Sequence, residues 1–498
     1  MTTTVTRRKP LAANVGILGV GLDVYWDQFP GLKEALMGYL DTFEQQVQAQ
    51  GVTTINLGMI DNAHAAYAAL KRLKAADLDL VFVDMLTYAT SSTFGILIRG
   101  LDVPVVLVAL QPLSRLDYAR ATIEMQLKND NICSLPEFAG VAVRMGKPVP
   151  PMIIGTLEED ARAEAEVAEW CRIARVLHDL KGARIGHFGH LIEAMLDMHT
   201  DQTALTAAFG LHVVQTELDD LVRLAREVTH DQIAAKSVEI QALFDTPDPQ
   251  SDPLTLTLTQ EDLGSAARMA VALDGFVEAY DLDGLAYYYR GEPGSEREHA
   301  AANLVVGNSL LCAAGLPMCG ESDLKTCIAM LIMDRLEIGG SFAEFHPVDF
   351  EEDFVLVGHD GPHHLAIAEG KPVLRSLTKY HGKPGAGASV EFKLKEGPIT
   401  MLGITSTYDG RFKFVIAEGE SAAGLIPATG NTNTRGVFKP DVVTFLKRWL
   451  AEGPTHHFAL GIGHHAQTIR KIGEALGIES LVVTGERRGE KARKRGRG

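Results

Sequence analysis

Thiols are scarce in this sequence, and those present do not pair up. Five cysteines, at positions 133, 171, 312, 319 and 327, are scattered over 498 residues, and no two stand at CxxC spacing. An odd, dispersed set excludes a disulfide framework and suits reduced thiols in a cytoplasmic protein. Cys312, Cys319 and Cys327 have apolar neighbours, which marks them as small core residues rather than nucleophiles. Long apolar runs are also missing. No segment approaches the roughly 20 residues needed to span a bilayer. The run at 15–22 is too short and too rich in glycine for the apolar region of a secretory signal, and residues 1–10 are polar and basic. Positive charge is in deficit: 64 acidic against 47 basic residues leave a net charge of −17. No summed positive field exists to attract nucleic-acid phosphates, so neither nucleic acid nor membrane is an expected partner. There is no GxSxG elbow to support a hydrolase of that type, and no compact HExxH metal motif.

What the chain does have is enough length for two to three domains, with a hydrophobic share of 46% that describes a soluble globular protein. Short apolar runs at 14–20, 53–57, 78–83 and 103–108 alternate with helical patterns at 32–50 and 63–73. That alternation is the mark of βαβ units and a parallel sheet. A helix over 157–180, headed by Thr156 as N-cap with Glu158 and Glu159 behind it, closes an N-terminal α/β domain at 1–182. A central α/β domain at 183–338 opens with a strand pattern at 183–189, a helix at 192–209 and a strand at 211–214. Residues 246–259, rich in Pro, Asp and Thr, read as an exposed loop. Helices at 261–280, 297–311 and 324–336 follow. From 339 onward, short alternating segments separated by Gly, Pro and Asp turns predict an antiparallel β-rich domain, barrel or sandwich, over 339–485. Residues 486–498 are basic and low in complexity, and read as a disordered tail. The expected fold class is α/β, with two parallel-sheet domains followed by this β-rich one.

Ligands of parallel sheets bind beyond the carboxyl ends of the strands. In the first domain those loops carry Tyr25, Trp26 and Gln28, then Thr87 and Tyr88, a polar and aromatic rim suited to a hydroxylated ligand. The consecutive Tyr287, Tyr288 and Tyr289, followed by Arg290, make either a sugar-stacking surface or a domain seam. The stretch 315–364 organises the rest. Glu321, Glu344 and His359 each stand next to glycine or at the edge of a β-like run, where a short backbone can aim a carboxylate or imidazole into a cleft. A second histidine-bearing turn, GIGHH, occupies 461–465. Two carboxylates plus imidazoles form a mixed oxygen and nitrogen set suited to Mn²⁺, Co²⁺, Fe²⁺ or Zn²⁺. Spacing alone equally allows capping, core and surface residues.

Four segments occur in the order seen in L-arabinose isomerases: GESDLKT at 320–326, SFAEF at 341–345, VLVGH at 355–359 and GIGHHAQ at 461–467. The chain resembles that family strongly in these segments and weakly along nearly its whole length. The resemblance implies the arabinose/fucose isomerase fold. It implies that Glu321, Glu344, His359 and His465 hold a divalent cation, usually Mn²⁺, and that Glu321 and Glu344 double as the acid/base pair. His464 would lie against the substrate, and Lys325 or Asp323 would tune the carboxylates. The reaction implied is aldose–ketose isomerisation of a pentose or hexose through an enediol, L-arabinose to L-ribulose first. Isomerisation or epimerisation of an L-fucose, D-arabinose or D-galactose type of sugar is the alternative within enzymes, and a non-catalytic cytoplasmic sugar-binding protein is the alternative outside them. In the family the first-strand segment, which here contains Tyr25 and Gln28, helps close the sugar pocket of a neighbouring subunit. The run GVGLDVYWDQF departs from the family's GSQHLYG there, and the missing histidine bears on which sugar fits. Assembly as a homo-oligomer, trimers stacked into hexamers with active sites at subunit contacts, is implied as well.

Overall fold

The computed structural model describes residues 5–248, 250, 252, 258–376 and 387–483. The basic tail at 486–498 and part of the loop at 246–259 lie outside them. Contacts group the chain into two compact units, Leu11–Asp179 and the remainder. Among the described residues no helix is long and apolar enough to cross a membrane.

The first unit is built on a sheet of β1 (Asn14–Val20), β2 (Thr53–Ile60), β3 (Leu80–Met85), β4 (Val105–Gln111) and β5 (Met152–Thr156). All pairs are parallel, in the order β2-β1-β3-β4-β5. Every residue of β3 is buried, which is why its sequence, Asp84 apart, is an apolar run instead of an alternating one. The helix Leu32–Gln48 buries Leu32, Leu36, Leu40, Phe43 and Val47, spacings of three and four that form one face. Phe43 meets Phe82 of β3 edge-on at 5.5 Å.

The second unit begins with a smaller parallel sheet: β6 (Arg184–Phe188), β7 (His212–Thr216), β8 (Gly284–Tyr287) and β9 (Met318–Cys319), ordered β7-β6-β8-β9. Next come β10 (Gly339–Asp349), β11 (Phe354–His359), β12 (Val373–Ser376), β13 (Ala388–Glu391), β14 (Gly397–Ser406), β15 (Phe412–Ala422), β16 (Thr432–Val437), β17 (Phe458–Ile462) and β18 (Glu479–Val483). Six of these, in the order β14-β17-β10-β11-β16-β15, form an antiparallel barrel that the β14–β15 pairing closes. Closure removes the exposed edges that an open sheet would leave. Strands β12 and β13 pair only with each other as a sheet, and β18 runs parallel to β15. The expected fold class therefore holds: two parallel α/β sheets followed by a six-stranded antiparallel barrel.

Two helical expectations are corrected. The stretch 192–209 is α-helical only over Gln202–Phe209, because Asp201 accepts from the amides of Thr203 and Ala204 and starts the helix there. The stretch 297–311 is split into Glu296–Ala302 and Val305–Ala313. Between them the Asn303 side-chain amide donates to the His299 carbonyl at 2.8 Å, a local bond that competes with helix continuation.

The helix Leu324–Arg335 links sheet and barrel. All twelve of its residues are buried, and it packs against β8, β10, β14 and β17. A helix enclosed on every side is apolar all round, and its few charges must be met. Lys325 donates to the carbonyls of Asp197 (2.6 Å) and His199 (3.4 Å). Asp334 accepts from Arg7, Arg335 and His364.

Candidate metal centre

After β9 the chain turns through Gly320–Ser322, and Glu321 and Ser322 both take left-handed backbone angles, φ 61° and 60°. Such angles are strained for residues other than glycine and persist only where the surroundings hold them. Here Ser322 Oγ donates to the His190 carbonyl at 3.1 Å, pinning the turn to the end of β6. Asp323 then caps the helix Leu324–Arg335, accepting from the Thr326 amide at 3.1 Å and the Thr326 hydroxyl at 2.8 Å.

The barrel supplies the other side chains through its register. Glu344 on β10 lies opposite Gly358 on β11, so His359 follows one place along. On the other flank of β10, Ala343 lies opposite Phe458 on β17, which puts His457, at the head of that strand, beside Glu344.

The ligand atoms of Glu344, His359 and His457 lie within 4.8 Å of one another, and so do those of Glu321, His456 and His457. His457 belongs to both groups. Its Nε2 is 3.6 Å from Glu321 Oε2, and His359 Nε2 is 3.9 Å from Glu344 Oε1. The Phe342 ring packs 4.3 Å from each imidazole. Each imidazole is also held from behind: His359 Nδ1 lies 2.9 Å from an Asp360 carboxylate oxygen, and His457 Nδ1 donates to Asp323 at 3.2 Å. A carboxylate behind Nδ1 fixes the ring and leaves Nε2 for a ligand.

Glu321, His359 and His457 are buried, and Glu344 is half-buried. Glu321 Oε2 and His457 Nε2 are buried without a hydrogen-bond partner. Buried polar atoms in that condition call for a specific explanation. A donor set of two carboxylates and two imidazoles, with orphaned atoms facing one another, fits a divalent cation.

The electrostatics are coupled. Burial alone depresses the His359 imidazole, but the Asp360 hydrogen bond and charge, with Glu344 and Glu321, outweigh it and raise its pKa. At His457 burial wins and the pKa falls, although Asp323 pulls the other way. Burial resists ionisation of Asp323, yet His457 and Lys325 hold it below the ordinary carboxylate value. Burial also drives His363, whose ring bonds the His359 carbonyl, down to about 3.

Of the residues singled out by sequence, Glu321, Glu344 and His359 converge. His465 is in neither group of ligand atoms among the described residues. It stands at the start of the helix Ala466–Leu476, while His457 takes the fourth place in the cluster. The reason is strand geometry: His457 precedes β17 and His465 follows it, and a five-residue strand advances about 17 Å. His464 is exposed, with Nε2 3.3 Å from Glu420. Asp323 contacts an imidazole, not the carboxylates, and Lys325 is spent on backbone carbonyls. Tyr25 and Gln28 lie in the short helix Val24–Gln28 of the other unit, Tyr25 half-buried with its ring edge-on to Phe29 and Gln28 exposed. The residues missed from sequence are His456, His457 and Asp360. The histidine pair at 456–457 repeats the pattern of 464–465, and that doubled imidazole is the signal available for it.

Residues 373–483 match the family model of the L-fucose isomerase C-terminal domain. The chain is 27% identical over 402 residues to an L-arabinose isomerase of Nocardioides sp. (strain ATCC BAA-499 / JS614), covering 78% of this chain and 77% of that one. It is 23% identical over 403 residues to an L-arabinose isomerase of Herpetosiphon aurantiacus, covering 78% and 76%. With an L-arabinose isomerase of Escherichia coli (strain K12) it shares 23% over 344 residues, 66% of each chain. With two parallel sheets, a closed barrel and matches along most of its length, the chain is similar to the L-arabinose isomerases.

Proposed function

We propose that this protein is a metal-dependent aldose–ketose isomerase of a free pentose or hexose, with L-arabinose to L-ribulose the first reaction to test. The convergence of Glu321, Glu344, His359 and His457, with the facing orphaned atoms of Glu321 and His457, is the observation that supports it. Those four residues would hold the cation, Mn²⁺ or another divalent ion. When bound, it supplies Lewis-acid polarisation of the sugar carbonyl.

The chain's own groups have the proton work. Isomerisation removes the proton α to the carbonyl and returns a proton to the neighbouring carbon, while a hydroxyl proton passes between O1 and O2. Glu321 reaches the centre from the turn after β9, and Glu344 reaches it from β10. Two carboxylates from separate elements give one base and one acid, and either assignment balances the protons. His456 is exposed, has a ligand atom within 4.8 Å of those of Glu321 and His457, and is held by Asp197 at 2.6 Å. It is set to hold a substrate hydroxyl. Cytoplasmic location and a homo-oligomer with sites at subunit contacts belong to the same reading.

The test strips the purified protein with chelator, restores Mn²⁺ and screens L-arabinose, D-galactose, L-fucose and D-arabinose for ketose. The last two are included because of the match at 373–483. Metal-dependent ketose from at least one sugar is expected. Tight Mn²⁺ binding without any turnover would move the reading to other enediol chemistry such as epimerisation. No Mn²⁺ binding would overturn it in favour of non-catalytic sugar binding.

A further inference from the structure

Lys325 sits in the first turn of the helix Leu324–Arg335 and is 1% exposed. Burial costs an ammonium its hydration and pulls its pKa down, against the charges of Asp323 and Asp197. Methionine would fill the same space without that cost, so the charge needs a task. The proposed proton chemistry gives it none.

What the ammonium holds supplies one. It donates to the carbonyl of Asp197 at 2.6 Å and to that of His199 at 3.4 Å. Both belong to the loop after β6, at the short 3₁₀ turn Leu196–Met198. Of that turn only Met198 is buried, so polar grips hold it in place. Asp197 is gripped from both ends. Lys325 holds its carbonyl, while its Oδ2 accepts from the His456 amide at 2.9 Å and from His456 Nδ1 at 2.6 Å. One oxygen thus fixes the main chain and the ring of His456 together. A carboxylate only accepts, so Nδ1 carries the proton, and Nε2 is the ring atom left for a substrate hydroxyl. The ring stands at the metal centre. It has a ligand atom within 4.8 Å of those of Glu321 and His457, and it packs 3.8 Å from the His457 ring.

We propose that Lys325 is a positioning residue. It touches neither cation nor sugar: it holds Asp197, and Asp197 orients His456. The inference rests on the isomerase reading for the task of His456, and not for the grip on Asp197. A histidine set to meet a sugar hydroxyl works on binding, so loss of the grip should appear in KM before kcat.

The experiment compares wild type with Lys325→Met, Asp197→Ala and the double variant, all full-length, with circular dichroism verifying the fold. Should Lys325→Met not fold, Lys325→Gln takes its place. Hydrogen–deuterium exchange by mass spectrometry reads residues 190–201 and 455–458 in chelator-treated protein. Calorimetry reads Mn²⁺ affinity, and ketose formation from the sugar that the wild type converts fastest reads kcat and KM. Both single variants are expected to speed exchange at 455–458 and to raise KM about tenfold, with kcat and Mn²⁺ affinity within about threefold of wild type. The double variant is expected to raise KM about tenfold as well, because two residues acting through one contact are not additive. A rise of about a hundredfold in the double variant means independent effects and overturns the proposal. So does a fall of about tenfold or more in Mn²⁺ affinity in the Lys325 variant, which would assign the lysine to Asp323 instead. Faster exchange at 455–458 in both single variants, with no ketose from wild type, would sink the isomerase reading and leave the grip standing. Ketose formation with KM and exchange unchanged in both would do the reverse.

Discussion

His457 Nδ1 lies 3.2 Å from Asp323 Oδ2, so one carboxylate both caps the helix Leu324–Arg335 and orients an imidazole of the candidate metal centre. Helix start and metal centre are thus mechanically the same object. Asp323→Asn keeps the shape and a capping oxygen but removes the charge behind His457. Mn²⁺ affinity is expected to fall about 10–100-fold, the usual penalty for losing such a partner. Titration calorimetry reads it directly, and an unchanged affinity would show that Asp323 serves the helix alone.

The placement of the two histidine pairs yields a sharper comparison. His457→Ala is expected to abolish tight Mn²⁺ binding and ketose formation, while His465→Ala leaves Mn²⁺ binding close to wild type. The opposite pattern would return the fourth position to the pair after β17. Glu321→Gln and Glu344→Gln should each lower kcat by at least about 100-fold if they are the acid and base.

Gly358 is constrained by its partner strand. A Cβ there would sit 1.9 Å from the Thr432 carbonyl oxygen, a backbone atom that cannot rotate aside. Gly358→Ala should force β11 away from β16, with an overpacking cost of about 1–3 kcal/mol. Because His359 is the next residue, a lower thermal midpoint should come with weaker Mn²⁺ binding. A fall in the midpoint with unchanged metal affinity would mean that the strand moves without its histidine.

The thiols should separate by exposure. Burial pushes the Cys171 and Cys312 thiols up to about 12, and Cys319 and Cys327 are buried as well, whereas Cys133 is exposed. Thiolates, not thiols, react with alkylating agents. Iodoacetamide at pH 8 is expected to label Cys133 alone in the native protein and all five cysteines after denaturation, as counted by mass spectrometry. Native labelling at Cys312 would contradict the packing of the helix Val305–Ala313.

Asp334 sets an acid limit. Burial opposes its ionisation, but the His364 hydrogen bond and the charges of Arg335, His364 and Arg7 outweigh burial and hold its pKa below the ordinary value. A depressed folded pKa contributes stability that is full above the unfolded value, about 3.9, and is lost as pH falls through the folded one. The thermal midpoint should therefore drop below about pH 4, and less steeply in Asp334→Asn. Asp334→Ala removes the buried carboxylate shared by Arg335, Arg7 and His364, and should cost about 3–5 kcal/mol at neutral pH. A wild-type midpoint in that variant would mean that this carboxylate contributes no net stability.

Much of the architecture was legible from residue order. Apolar runs marked β1, β3 and β6, and the change of period after Gly339 marked the barrel strands, because burial on one face or two writes itself into neighbouring positions. The ends of the helix at 324–336 were legible to within a residue. Glu321, Glu344 and His359 stood out because each sits in a short motif shared with a known family. His457 did not, because 457–460 reads as an apolar strand and its histidine is absorbed into that pattern.

Residue order was enough to place most strands and helices, though not the breaks within 192–209 and 297–311, to show that few thiols and no excess positive charge are available, and to mark which carboxylates could serve a metal. These properties depend on the chemistry of each side chain and its nearest neighbours along the chain. Tertiary structure alone decided that the barrel closes through β14 and β15, and that the imidazole facing Glu321 belongs to His457 and not to His465. It also decided that Asp323 reaches a partner 134 positions away. Strand register makes those choices, since shifting a pairing by one place turns each side chain to the other face, and register is set by packing across the sheet.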